Sequence, residues 1–475
     1  MKPYQSSKFS FEDAAHLLRR AGFGGSSEEV KKLQSLGVEL AVEKLLAFSD
    51  NDGTQDNPHD VDKTFQDALE KSGKVGNANG IAIVTLQGWW LHKMLSTTEP
   101  LREKLTLFWH GHFATGLDKV RNPFALQQQN ELLRRMSIGK FDALTLEVAK
   151  NPAMLRYLDN DKNEKDHPNE NFARELMELF TLGVHGGYSE KDVQESARAF
   201  TGWTFRGGKN AQKDDGANYK NQQFGFAPKA HDTGSKTFLG QSGNFDGTDI
   251  VRIVTNHPSS AKFITEKIWH YFVSEELPTS IHEDLVRTWT DSKLDVRELL
   301  RTIFTSQEFY APENRNNLIK SPLEYVVGSL RSVNAQLLLE QELTLINVLA
   351  SQAQIPFYPP NVKGWDGGLE WIADTTLLNR IQFMGILSSG KIAMRPRIKQ
   401  DGNDKVPPQP IPGLTFPLGS SLPETIDRIG QTFLGEKPNG ILRKALETFA
   451  KGRNTPEVAK GLAYLVLISP HYHLA

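Results

Sequence analysis

The chain contains no cysteine, which excludes disulfides, thiolate catalysis and zinc–sulfur sites. It contains no run of about 18 apolar residues, so no helix spanning a membrane is expected. It also lacks an excess of charge of one sign. Lys and Arg number 55 against 57 Asp and Glu, for a formal net charge of -2, and this provides no global field for nucleic acid or an acidic membrane. The opening residues Met1–Lys8, MKPYQSSK, lack the apolar core of a signal peptide. The expectation is a cytoplasmic protein, or a periplasmic or secreted one if this is a mature form.

What is present suits a large globular protein. A length of 475 residues, 38% apolar and 24% charged, is enough to bury a sizeable core. Amphipathic patterns at helical spacing recur along the chain, so the expected fold is mainly α, a multi-helix globular bundle with a small β-hairpin or flap. Three regions are read. Residues 1–203 form an N-terminal helical region and 204–247 a loop and β flap. Residues 248–475 form a C-terminal helical region, with a Trp-rich loop at 356–371 and a Pro/Gly-rich excursion at 397–424. Loose echoes of a helical hairpin at 144–158, 299–310 and 462–472 suggest an internal repeat.

One stretch organises the N-terminal region: His167 to Gly183, HPNENFARELMELFTLG. Pro168 suits a helix start and Gly183 a helix end. Phe172, Leu176, Leu179 and Phe180 recur on one face. Asn171, Arg174, Glu175 and Glu178 form a polar row on another. Two readings stay open: a solvated face with an Arg174–Glu178 pair, or an inward-facing polar site. Upstream, Asp159 to Glu164 is dense in side-chain oxygens. Downstream, Ser189 and Asp192 read as the cap of a second helix.

Other candidates are scattered. His110 and His112 flank Gly111; two residues apart on a helix they point about 200° apart, so a shared ion requires the helix to have ended at Gly111. His231 and Asp232 contribute to a site or only shape a turn, with strands expected at 224–226 and 236–239. Lys363, Trp365 and Trp371 line a sugar pocket or clasp a long loop. The polar helix at 123–137, with Arg134 and Arg135, reads as a solvated face.

Several of these motifs together resemble the bacterial family called domain of unknown function 1800. They are AAHLLRRAGFG at 14–24, LFWHGHF at 107–113, NENFAREL at 169–176 and DVQESARAFTGW at 192–203. His231-Asp232 with KTFLG at 236–240, and PPNVKGW at 359–365, fit the later motifs. The resemblance spans nearly the whole chain but implies no reaction. Members are often exported and often encoded beside sulfatase-like proteins, which implies such a protein as a partner.

The functional expectation is a hydrolase, in one version metal-assisted, acting on a glycan or other polymeric substrate through a carboxylate and histidine site. Its catalytic groups would be Glu170, Glu175, Glu178, Arg174, His110 and His112. Its substrate contacts would be Asn171, Trp203, His231, Asp232, Lys363 and Trp365. A divalent ion, Ca, Mg or Zn, would be held by Asp159, Asp161 and Glu170, because hard cations need several oxygens and lower the pKa of bound water. A metal-free version would use a carboxylate pair. The alternative is a non-catalytic carbohydrate- or protein-binding protein. A metal-dependent oxidoreductase ranks last, since the paired Glu-x-x-His motif of di-iron bundles is missing.

Overall fold

The structure, a computed structural model, describes residues 1–49, 57–206, 220–392 and 407–475. Helices start where the sequence supplies caps. Ser10 with Asp13, Ser26 with Glu29 and Ser189 with Asp192 form reciprocal capping boxes, each satisfying two otherwise orphaned N–H groups. A long helix runs Val75–Ser96; Gly76 and Gly80 in its first turns face open space. The next helix, Pro100–His112, is buried along almost its whole length.

The fold is mainly α, as expected. A cluster of buried apolar side chains extends from Phe9 to Tyr472, so the N- and C-terminal helical regions share a core. Polar contacts also join them: His16 Nε2 meets the Phe309 carbonyl at 3.1 Å, and Lys104 pairs with Glu324. The hairpin echoes appear as the Phe141–Lys150 and Pro152–Tyr157 helices and as Pro456–Leu467 followed by the Pro470–His473 turn. In both a polar residue precedes Pro: Asn151, whose side chain caps, and Ser469, whose hydroxyl instead donates to the Val466 carbonyl. Among the described residues no helix is long and apolar enough to cross a membrane.

The 204–247 region does contain short strands, but 224–226 and 236–239 are not partners. Trp203–Arg206 pairs antiparallel with Gln223–Phe226, and Lys236–Phe238 with Gln241–Gly243. A short helical turn, Pro228–Ala230, separates the two hairpins. Leu239 and Gly240 both have positive φ, 46° and 74°. That is the two-residue turn whose twist matches antiparallel strands, so 236–238 folds onto its own neighbour. The expected lid stretch at 207–223 falls largely outside the described residues, as does the 393–406 part of the Pro/Gly-rich excursion. The rest of that excursion pairs Gln409–Pro410 with Lys391–Ile392.

The polar helix Pro123–Met136 is solvated at Glu131 and Arg135 but not along its other face. Gln129, Asn130 and Arg134 are buried. Arg134 forks onto Glu103, with Nε to Oε1 at 2.5 Å and the second nitrogen to Oε2 at 2.9 Å. Trp90 Nε1 donates to the same carboxylate at 3.0 Å.

Candidate functional site

A cavity of about 470 Å³ opens among the Pro100–His112 helix, the Pro258–Phe272 helix and the Trp-rich loop. His112, Lys267 and Tyr271 line it, with Trp365 and Trp371 from the loop. Lys267 and Tyr271 lie one turn apart and therefore share a helix face.

Hydrogen bonding defines the state of His112. Its Nε2 lies 2.9 Å from the Phe180 carbonyl; a carbonyl only accepts, so Nε2 carries the proton. Nδ1 is then a bare acceptor, and Lys267 Nζ reaches it at 3.2 Å. Burial, then the neighbouring Lys267 charge, holds His112 well below the usual histidine range, so it is neutral. Burial, then the Lys363 charge, brings Lys267 from a lysine's usual 10.5 to about 8. Among the described residues no carboxylate pairs with Lys267, whereas Lys363 pairs with Asp366 at the cavity mouth.

The backbone that presents the Phe180 carbonyl is unusual. The Asn171–Glu175 α-helix widens into a π-helical turn over Leu176–Thr181. The Leu182 N–H bonds the Met177 carbonyl at 2.8 Å, and Thr181 Oγ1 bonds the Leu176 carbonyl at 2.6 Å. Such turns recur at functional sites. This one brings the organising stretch against the cavity through its end, not its polar row.

Gly111 does not end the helix, so His110 and His112 point to different sides. His110 Nε2 accepts the Phe357 N–H at 3.2 Å, and its ring packs on Trp90 and Trp365. Burial lowers it to about 3, so it is a neutral pin for the Trp-rich loop. That loop also needs Gly364. Its φ is 86°, and a Cβ there would lie 2.4 Å from the Gly111 carbonyl oxygen. Gly364→Ala is expected to destabilise by about 1–3 kcal/mol and to loosen the Trp365 wall. Urea unfolding and tryptophan emission check this; unchanged values for both would refute it.

The remaining sequence candidates lie elsewhere. Arg174 does not pair with Glu178; it bonds Glu190 through two contacts of 2.8 Å and Glu170 at 3.1 Å, because the next helix brings Glu190 across. Glu175 and Glu178 are half-buried and, among the described residues, have no side-chain partner; neither lines the cavity. Asp159 is held by Lys119 and Lys162, Asp161 by Arg156 and Glu170 by Arg174. Among the described residues no group of three or more His, Asp or Glu converges as a metal site. Asn171 Nδ2 bonds the Leu158 carbonyl at 3.3 Å. His231 meets the Thr201 carbonyl at 2.8 Å, and Asp232 forks with Arg198, so both shape the turn. Trp203 is packed between Phe200 and Phe224. Of the expected residues, His112, Lys363, Trp365 and Trp371 therefore meet at one cavity, with His110 behind Trp365. Arg20, from the 14–24 motif, joins them, and Lys267, Tyr271 and Glu324, which carried no distinguishing signal in the sequence, complete it.

Burial, then the adjacent Glu178, raises the Glu175 carboxyl. A raised folded-state value means stability present at low pH and lost as pH rises through that value. Glu175→Gln removes the like-charge contact. It is expected to leave activity intact and to stabilise slightly at pH 7, within about 0.5 kcal/mol. The gain should vanish below about pH 4, where the unfolded carboxyl protonates as well. Melting temperatures at both pH values test this, and lost turnover would return the polar row to the active site.

The fold and cavity define a mainly α protein with a tryptophan-walled pocket that carries charged groups and is built from both ends of the chain. The chain belongs to the family described as protein of unknown function (DUF1800), whose model matches residues 16–474. Curated proteins and solved structures yield no match.

Proposed function

We propose that the cavity is the active site of a hydrolase acting on a glycan, with an ester on the glycan as the bond that best suits its groups. The observation that carries this reading is the Lys267–His112 contact facing a tryptophan-walled cavity. His112 Nδ1 takes one N–H of Lys267, which leaves the lone pair of the neutral amine free to face the cavity. That amine removes a proton from the attacking water, as a general base whose pKa lies near the working pH, and returns it to the sugar oxygen as the ester C–O bond breaks and the acid departs. The Lys363 ammonium stabilises negative charge developing on the carbonyl oxygen. Trp365 and Trp371 offer flat apolar faces to sugar rings. A polysaccharide substrate is part of this reading, as is a sulfatase-like partner, which rests on the context of the family alone.

The test is a panel of acetylated, sulfated and unmodified polysaccharides, scored for released acid and reducing ends. Release of acetate would support the ester reading. Binding without turnover of any member would favour the non-catalytic alternative. Protein treated with chelator is expected to keep its activity, since the groups named here act without an ion. Loss of activity restored by Ca, Mg or Zn would support the metal-assisted version.

A further inference from the structure

Two buried cations, Arg20 and Lys104, stand near one side-chain carboxylate, Glu324, among the described residues at the inner end of the cavity. Arg20 lines it and is 2% exposed. One guanidinium nitrogen bonds the Asn314 carbonyl at 3.1 Å and the Asn317 side chain, while Nε has no partner. Lys104, also 2% exposed, packs between the Phe23 and Tyr271 rings and pairs with Glu324. The Glu324 carboxylate is thus bonded by Lys104, and Arg20 feels its charge without bonding it. Of the other acids lining the cavity, Asp366 pairs with Lys363 at the mouth, and Glu275 lies against Gly368 on the Trp-rich loop. Burial brings Arg20 down to about 9, against the opposing pull of the Glu324 charge.

We propose that Arg20 heads an oxyanion-binding subsite at the inner end of the cavity, so that the substrate is a glycan bearing a sulfate or carboxylate group. Guanidinium is the side chain best matched to such groups, because its planar fork offers parallel N–H donors to two oxygens. The subsite is separate from the Lys267 amine, which is left free to act as base. The inference rests on the cavity being a glycan site, but its anion preference is measurable without turnover.

The full-length protein is titrated with inorganic sulfate, with glucuronate and with glucose, following tryptophan emission and melting temperature. Sulfate or glucuronate is expected to bind at least tenfold tighter than glucose. The preference of one over the other identifies the group, and Arg20→Lys is expected to weaken that binding about tenfold. Because Arg20 is buried, Ser321→Asp, which adds a negative charge at the same end of the cavity, is the second variant. It should abolish anion binding while leaving glucose binding unchanged. Equal affinity for all three ligands overturns the proposal, even if neutral glycans are hydrolysed. If neither anion binds, the proposal falls. Anion binding without turnover of any glycan upholds the subsite and removes the hydrolase reading instead.

Discussion

Lys267→Met is expected to lower turnover by about 10²- to 10⁴-fold with no loss of thermal stability. The proton affinity of the amine, about 8, lies within reach of neutral pH. His112 is held neutral by burial and has both ring nitrogens engaged. The wild-type rate should therefore rise as pH passes through about 8 and then level off. Stability moves the same way. Since the folded-state value lies below the usual 10.5, the contribution to stability is present above the unfolded value and is lost as pH falls through about 8. At pH 7 the wild type holds a charged, poorly solvated ammonium and the methionine variant does not. The variant should melt at the same or a higher temperature, the pattern of a site that trades stability for function. Lys267→Arg keeps a charge that does not titrate in this range and should be as inactive as the methionine variant. Rates between pH 6 and 9 with parallel melting curves test the assignment. A flat wild-type profile, or a fully active Lys267→Met, would refute it.

The largest effect on stability is expected from Glu103→Ala. Glu103 is fully buried and receives Arg134 through two bonds and Trp90 through a third. Removing the carboxylate strands the Arg134 guanidinium, itself 3% exposed, away from water. The expected cost is about 3–5 kcal/mol, the range for breaking a buried pair from one side. Replacing both partners with apolar residues of similar size should recover most of that loss, because no buried charge then lacks a partner. Urea unfolding of the two single variants and the double variant gives the coupling directly. Additive losses would show that the pair does not act as a unit. Activity may be read on the same variants: Trp90, which donates to Glu103, also packs edge-on against His110 at 5.0 Å, so the network supports the pin behind Trp365.

Local features were legible from the residues alone. Capping boxes depend on side chains three residues apart, and Ser10, Ser26 and Ser189 all form them. The mainly α class followed from helical periodicity, and the family from motifs spread along the chain. The short strands were visible as segments, but their pairing was decided by the positive-φ turn at Leu239–Gly240. The widening of the helix over Leu176–Thr181 had no periodic signature, since a single inserted turn leaves most of the apolar stripe in place.

Residue types, caps, apolar periodicity and the lack of cysteine were determined by the sequence itself, because each is a property of neighbours within a turn or two. Only the tertiary structure decided which polar groups share a site. Lys267 reaches a histidine 155 residues away, and Lys104 a glutamate 220 residues away. Arg134, on a helix that looks solvated in isolation, lies in the core because Glu103 faces it there. A side chain's charge state and role follow from what buries it, and burial is set by helices packed from distant parts of the chain.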